Sequence, residues 1–185
     1  MQITAEEFLP IAEKAGELVF VDIEASNLKG DYGSALVVSM KPYKKDIITL
    51  AAKTAGDDRQ LVREARDLLE GYKLWASFYG KMFDIPFLNT RLVHHGLRPL
   101  DRRHHIDLYW IVRGTMQTSR RSQAHLLEFL DSPMKKLTLS PDVWNLVLRN
   151  PQKGFAILKK RCESDVEGLE ALYDRVKPLI REIQR

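Results

Sequence analysis

Residues 17–26, ELVFVDIEAS, decide the fold of this chain. The run from Leu18 to Val21 is apolar and rich in β-branched and aromatic residues, which is typical of a buried strand.

Asp22 and Glu24 follow this run, and residues two apart in a strand share a face. Two neighbouring carboxylates repel each other, and burial strengthens the repulsion. A divalent cation would relieve it, because hard cations prefer carboxylate oxygen. The alternative is a strand end in water with two solvated acids.

The sequence around this strand predicts an α/β architecture. We expect a turn over 27–33, strands over 34–43, 46–53, 73–80 and 104–110, and helices over 56–72, 83–96, 122–131, 141–149 and 153–183. Asp57 or Asp58 is expected to cap the first helix and Asp84 the second, and Pro178 should bend or shorten the last. The first three strands have connections too short for parallel crossovers. The pattern therefore predicts a five-stranded mixed sheet, an antiparallel meander followed by parallel strands, flanked by helices.

Composition and charge limit the possible classes of function. The chain has 185 residues, 44% hydrophobic and 29% charged, which suits one globular domain over residues 1–185. No window approaches the roughly 18 unbroken apolar residues of a membrane helix, and the acidic first residues lack a signal-peptide pattern. We therefore expect no membrane partner and a cytoplasmic protein, of a cell or of an infected host. The net charge of +4 mildly favours a polyanionic partner.

Two further acids lie at positions that point to chemistry. Asp84 follows YGKMF at a predicted strand-to-helix junction, where it can cap the helix, face a ligand, or do both. Asp165 falls within the apolar stripe of the last helix, between Cys162 and Leu169. Burying an unpaired acid is costly, so Asp165 requires either a basic partner or a metal ion. Cys162 is the single cysteine, which excludes an internal disulfide, and we expect it to be a small buried hydrophobe.

Together the four acids resemble the DEDD superfamily of 3′-to-5′ exonucleases. VFVDIEASNL is similar to the first motif of that family, YGKMFDIPFL to the second as it occurs in proofreading domains of family B DNA polymerases, and RCESDVEGLEALY to the third. HIDL and the later helices also resemble the stand-alone ribonuclease-H-like exonucleases of bacteria and phages. The resemblance covers about residues 17–176 and implies a ribonuclease-H-like fold.

The resemblance implies hydrolysis of single-stranded nucleic acid from a free 3′ end, with DNA favoured over RNA, to nucleoside 5′-monophosphates. Two divalent ions, Mg²⁺ or Mn²⁺, would carry the reaction. Asp22 would bridge them, Glu24 and Asp165 would complete the first ion's site, and Asp84 would hold the second. By the same resemblance Leu28 would wedge against the last base and Asn27 would meet its sugar or backbone. The residues implied to bind substrate are Ser26, Asn27, Leu28, Tyr79 and Phe83.

Two positions depart from the family pattern. Tyr79 stands where the second motif usually has Asn. Arg161 stands four residues before Asp165, where relatives carry an aromatic residue or a histidine that handles the attacking water. Arg161 cannot be a general base, because it stays protonated. It could clamp the scissile phosphate or pair with Asp165. Another side chain could instead handle the attacking water, and the candidates are His104, His105 and Lys160.

Other interpretations stay open at this point. The chain could bind nucleic-acid ends without cleaving them, or it could cut internally as an endonuclease, since the fold supports both. A monomer is compatible with the sequence. Asp107 in HIDL is expected to be an ordered acid at the end of a strand rather than a ligand. Lys135 and Lys136 are expected to be solvated, with phosphate contact as the alternative.

Overall fold

One mixed sheet forms the centre of the fold in the computed structural model, which describes residues 4–134, 142–181 and 183. Lys135 and Lys136 lie outside the described residues. The strands are β1 (Leu18–Ala25), β2 (Ala35–Pro42), β3 (Ile48–Ala51), β4 (Leu74–Ser77) and β5 (His104–Asp107). Their order is β3-β2-β1-β4-β5. The β1–β2 and β2–β3 pairs are antiparallel, and β1–β4 and β4–β5 are parallel. The predicted fold is therefore confirmed.

Seven helices are found in the described residues, and they flank this sheet. They are α1 (Ala5–Ala15), α2 (Arg59–Leu69), α3 (Asp84–His94), α4 (Leu108–Thr115), α5 (Gln123–Phe129), α6 (Val143–Arg149) and α7 (Pro151–Val176). A 3₁₀ turn over Lys177–Leu179 follows α7, so Pro178 shortens the last helix as predicted. None of the helices in the described ranges is long and apolar enough to cross a membrane.

Two elements differ from the sequence prediction. Helix α1 was not predicted, although Thr4 and Glu7 form a capping box at its start. The strand expected over 104–110 ends at Asp107, where α4 begins. Asp107 is the reason for this boundary, since its carboxylate accepts a hydrogen bond from the Tyr109 N–H at 3.1 Å and caps the new helix.

The helix caps assigned to two aspartates need correction. Helix α3 begins at Asp84 itself, its N-cap is Phe83, and no side-chain hydrogen bond caps it. Asp58 is the N-cap residue of α2, but it makes no side-chain cap bond there either. Both carboxylates accept hydrogen bonds from other elements instead: Asp84 from the Ile23 N–H at 3.1 Å, and Asp58 from the Ala35 N–H at 2.8 Å. Tertiary contacts have replaced the local bonds that the sequence suggested.

Alternate residues of β1 pack into opposite apolar layers, as the period of a strand requires. Val19 and Val21 pack in a layer that includes residues of α2 and α3. Leu18 and Phe20 pack in the other layer, which includes residues of α1, α4 and the C-terminal half of α7. Asp22 continues the series of Leu18 and Phe20. Asp22 and Glu24 therefore share the face of Leu18 and Phe20, and there they approach Asp165 of α7.

Candidate active site

Three carboxylates meet where β1 ends beneath α7. Asp22, Glu24 and Asp165 each offer an oxygen, and these oxygens all lie within 4.8 Å of one another. Glu24 and Asp165 are buried and Asp22 is half-buried. The spacing of two along the strand and the place of Asp165 on the buried stripe of α7 both predicted this encounter. The donor set fits a hard divalent cation, because it consists of closely spaced carboxylate oxygens with little access to water.

Asp84 adjoins this group as a fourth acid. It is only 4% exposed, and its Oδ1 accepts the hydrogen bond from the N–H of Ile23, which lies between Asp22 and Glu24 in β1. Burial raises the pKa of Asp84 to about 7, and the negative charges of Asp107 and Glu24 add to the rise. Asp84 therefore exchanges its proton near neutral pH, and a cation that binds there would compete with that proton.

Arg161 lies inside the carboxylate group. Its Nε is 3.2 Å from Glu24 Oε1 and 3.2 Å from Asp165 Oδ2. Of the roles open to Arg161 in the sequence, pairing with Asp165 is therefore present in the structure, and the second pair with Glu24 was not foreseen. The guanidinium offsets part of the charge that the three acids accumulate.

The two histidines suggested as replacements for the missing base lie away from this group. His105 lies on β5, which β4 separates from β1, and its Nε2 is 2.7 Å from Ser77 Oγ. Burial lowers the pKa of His105 to about 3, and the nearby charge of Lys81 lowers it further, so the ring stays neutral. The ring of His104 packs against Phe8 of α1, with centroids 5.2 Å apart. Lys160 is exposed on α7.

Cys162 contacts Asp22 through its thiol. It is fully buried, as predicted, and its Sγ lies 3.3 Å from the backbone oxygen of Asp22 and 3.5 Å from Asp22 Oδ2. Burial and then the charge of Asp22 raise the pKa of this thiol well above its usual value, so it remains a protonated donor. The sequence analysis missed this contact. Its only signal was the spacing of three residues between Cys162 and Asp165 on one helix face.

An open groove of about 430 Å³ begins at Glu24 and contains four of the five residues implied to bind substrate: Ser26, Asn27, Leu28 and Phe83. The Ser26 hydroxyl accepts a hydrogen bond from the N–H of Ser34 at 2.9 Å, which closes the loop after β1. Leu28 is 79% exposed beside it. Phe83 is half-buried and packs on Phe87, with ring centroids 5.6 Å apart.

Tyr79, the fifth of these residues, belongs to a different cluster. Its backbone is left-handed, with φ of 66°, and its ring centroid lies 4.9 Å from that of Tyr109 and 6.2 Å from that of Trp110. Asp107 lies beneath the cluster, 3% exposed, and accepts hydrogen bonds from backbone N–H groups. It is thus an ordered acid at the end of a strand, as expected.

Comparison with known proteins is consistent with this arrangement. A family model described as the RNase H superfamily matches residues 19–130. The family B DNA polymerase of the hyperthermophilic archaeon Pyrobaculum calidifontis is similar in structure, with a TM-score of 0.72 and 18% identity over 87% of this chain and 24% of the polymerase. A structure described as the apo form of a nuclease has a TM-score of 0.60 and 20% identity, over 91% of this chain and 75% of that one.

These structural likenesses concern the fold alone, because both identities are low. The chain spans only 24% of the length of the polymerase. Among curated protein sequences, none matches the chain.

Proposed function

This chain belongs to the RNase H superfamily of nuclease-type hydrolases, and on that premise we propose that it is a metal-dependent 3′-to-5′ exonuclease. It would hydrolyse single-stranded nucleic acid, DNA in preference to RNA, to nucleoside 5′-monophosphates. The observation that carries the proposal is the group of Asp22, Glu24 and Asp165, whose oxygens lie within 4.8 Å of one another at the end of an open groove. A cytoplasmic location remains a prediction from the sequence.

The four acids would hold two divalent ions, Mg²⁺ or Mn²⁺. Asp22, Glu24 and Asp165 would hold the first, and Asp84 would hold the second together with Asp22. When bound, such ions activate water and stabilise the departing 3′ oxygen. Asp84 must lose its proton before it binds a cation, because burial raises its pKa to about 7. Cys162 donates towards Asp22 and restrains the orientation of that carboxylate.

The groove beside Glu24 suits a terminal nucleotide. Leu28 presents an apolar side chain at its rim, where it would contact the last base, and Asn27 would meet the sugar or backbone. Phe83 packs on Phe87 and forms part of the wall. Apolar contacts of this kind accept any base, so little sequence preference is expected. A terminal nucleotide must leave its duplex partner to enter the groove, which favours single strands.

The proposal is tested with 5′-labelled single-stranded DNA and RNA oligonucleotides, incubated with Mg²⁺, with Mn²⁺ and with EDTA. We expect a metal-dependent ladder that shortens from the 3′ end, faster on DNA than on RNA, and no ladder with Asp22→Asn. Circular single-stranded DNA should resist, because it has no 3′ end. Cleavage of the circle would indicate an endonuclease instead.

A second candidate, a protein that binds nucleic-acid ends without cleaving them, is favoured by one observation. Arg161 pairs with Glu24 and Asp165, at 3.2 Å each, where the family resemblance implies an aromatic residue that handles the attacking water. Retained oligonucleotide binding with no cleavage in any metal would support this candidate. If the unaltered protein does cleave, Arg161→Tyr separates the roles of the arginine: a faster variant argues against an electrostatic clamp, and a slower one supports it.

A further inference from the structure

Three aromatic side chains form an exposed cluster at the ends of β4 and β5, which we call the aromatic platform: Tyr79, Tyr109 and Trp110. The rings of Tyr79 and Trp110 are stacked, with centroids 6.2 Å apart and planes 30° apart, and Tyr109 meets both edge-on. Tyr79 is 42% exposed and Trp110 is 39% exposed. Core aromatic residues are buried, so packing within the protein does not account for the exposed area of these two rings.

One buried carboxylate fixes the platform in place. Asp107 Oδ1 accepts hydrogen bonds from the N–H groups of Tyr79 at 2.8 Å and Tyr109 at 3.1 Å, and Oδ2 accepts one from the Lys81 N–H at 3.0 Å. It thereby holds the loop after β4 and the first turn of α4 together. Tyr79 has a φ of 66°, a conformation that a tyrosine keeps only where its surroundings impose it. The rings are therefore preorganised rather than free to collapse onto the surface.

The platform lies at the same edge of the sheet as the carboxylates. Strands β1, β4 and β5 are parallel neighbours, so their carboxyl ends lie at one edge of the sheet. The groove with Leu28 follows β1, whereas the platform follows β4 and β5. Gly80, directly after Tyr79, approaches the acids so closely that a Cβ there would lie 3.2 Å from Asp84 Oδ2. Groove, carboxylates and platform thus share this edge of the sheet, and Phe83, from the segment after β4, lines the groove.

The chemistry of the platform suits a nucleic-acid strand better than an apolar protein partner. The guanidinium of Arg113 lies over the Trp110 ring, 4.9 Å from its centroid, so a cation accompanies the exposed aromatic face. Aromatic faces beside cationic groups bind single strands, because bases stack on the rings while the cations meet the phosphates. The net charge of +4 agrees with a polyanion.

We propose that the aromatic platform stacks nucleobases of the single-stranded substrate on the 5′ side of the scissile linkage, with Arg113 near their phosphates. This inference rests on the proposed function: if the terminal nucleotide occupies the groove and the scissile phosphate meets the carboxylates, the rest of the strand leaves over the platform. Trp110, Tyr79 and Arg113 are then binding residues for the body of the substrate, and Asp107 is a positioning residue that acts through the backbone of Tyr79 and Tyr109.

The test measures binding by fluorescence anisotropy in EDTA, so that it does not depend on cleavage. Single-stranded DNA oligonucleotides carry one abasic residue at successive positions from the 3′ end. With the unaltered protein, affinity should fall about tenfold when the abasic residue lies at a position that reaches the platform. Trp110→Ala should weaken binding of the intact oligonucleotide to a similar extent and remove the penalty at that same position. Trp110→Phe, which keeps an aromatic face, should restore most of the affinity.

Phe129→Ala is the matched control, because Phe129 is a 59% exposed aromatic residue on α5 and should not alter binding. The inference would be overturned if the abasic residue lowered the affinity equally for the unaltered protein and for Trp110→Ala. It would also be overturned if Trp110→Ala bound the intact oligonucleotide as well as the unaltered protein does. The second result would favour a protein partner for the platform. Platform-dependent binding without cleavage in Mg²⁺ or Mn²⁺ would overturn the exonuclease proposal alone. Cleavage by the unaltered protein, together with an affinity that Trp110→Ala does not change, would overturn the proposal for the aromatic platform alone.

Discussion

Replacing Arg161 by Gln should destabilise the metal-free protein and enlarge the stabilisation that Mn²⁺ confers. The Arg161 Nε lies 3.2 Å from both Glu24 Oε1 and Asp165 Oδ2, and the three side chains are 20%, 10% and 2% exposed. Removing one partner of such a buried pair leaves uncompensated charge and costs about 3–5 kcal/mol. Because Arg161 retains some contact with water, we expect the lower end, about 3 kcal/mol. For a chain of this length that corresponds to a Tm roughly 6–12 °C lower.

A divalent cation would supply the positive charge that Arg161→Gln removes. In saturating Mn²⁺ the deficit in Tm should therefore shrink to less than half of its value in EDTA. The assay is thermal denaturation at pH 8, with and without the metal.

Arg98→Gln is the matched control, because Arg98 is 51% exposed and pairs with Glu70 and Asp101 at the surface. Water screens a pair made by such an exposed arginine, so this variant should show a small deficit in Tm that is the same in Mn²⁺ and EDTA. Two results would refute the role of Arg161 as the counter-charge of the metal site. One is an Arg161→Gln protein that is as stable as the unaltered one in EDTA. The other is a deficit in Tm that Mn²⁺ does not change.

Three further predictions are checked by thermal denaturation in EDTA. Asp84→Asn should raise the Tm at pH 8 and have little effect near pH 4. The pKa of Asp84 in the folded protein, about 7, exceeds its ordinary value of 3.8. The stability that protonated Asp84 provides at low pH is therefore lost as the pH rises through 7. A gain that is equal at both pH values would contradict this. Gly80→Ala should lower the Tm, because a Cβ there would lie 2.6 Å from Ser77 Cβ, whereas Gly114→Ala meets nothing within 4 Å and should be neutral or stabilising. Equal effects of the two substitutions would argue against the crowding. Asp58→Asn should cost about 3–5 kcal/mol, because Arg91 Nε donates to this fully buried carboxylate at 2.8 Å. A loss below about 1 kcal/mol would show that the pair is dispensable.

The features that the sequence predicted correctly depend on short-range periodicity. Asp22 and Glu24 share a face because the period of a strand is two, and Asp165 is buried because it falls within an apolar helical stripe. The antiparallel directions of the first three strands followed from the lengths of their connections, which forbid parallel crossovers. The meeting of Asp22, Glu24 and Asp165 could therefore be predicted from the strand period, the apolar stripe of the last helix and the expected fold.

The features that the sequence missed depend on contacts between distant segments. Arg161 meets Asp165 within one helix, but its contact with Glu24 exists only because α7 crosses β1. Asp58 suggested a helix cap, yet its carboxylate binds Arg91, 33 residues away. At HHIDLYW the β-propensity runs past Asp107, and only the capping bond to Tyr109 shows that a helix begins there.

The measurement that tests the central claim most directly is the release of the 3′-terminal nucleotide. A single-stranded DNA oligonucleotide labelled in that nucleotide is incubated with Mn²⁺ and with either the unaltered protein or Asp22→Asn. The account predicts that the label appears first as a nucleoside 5′-monophosphate, before any internal fragment forms, and that Asp22→Asn releases none. Label that remains in the intact strand, or that appears first in a longer fragment, would contradict a 3′-to-5′ exonuclease built on these carboxylates.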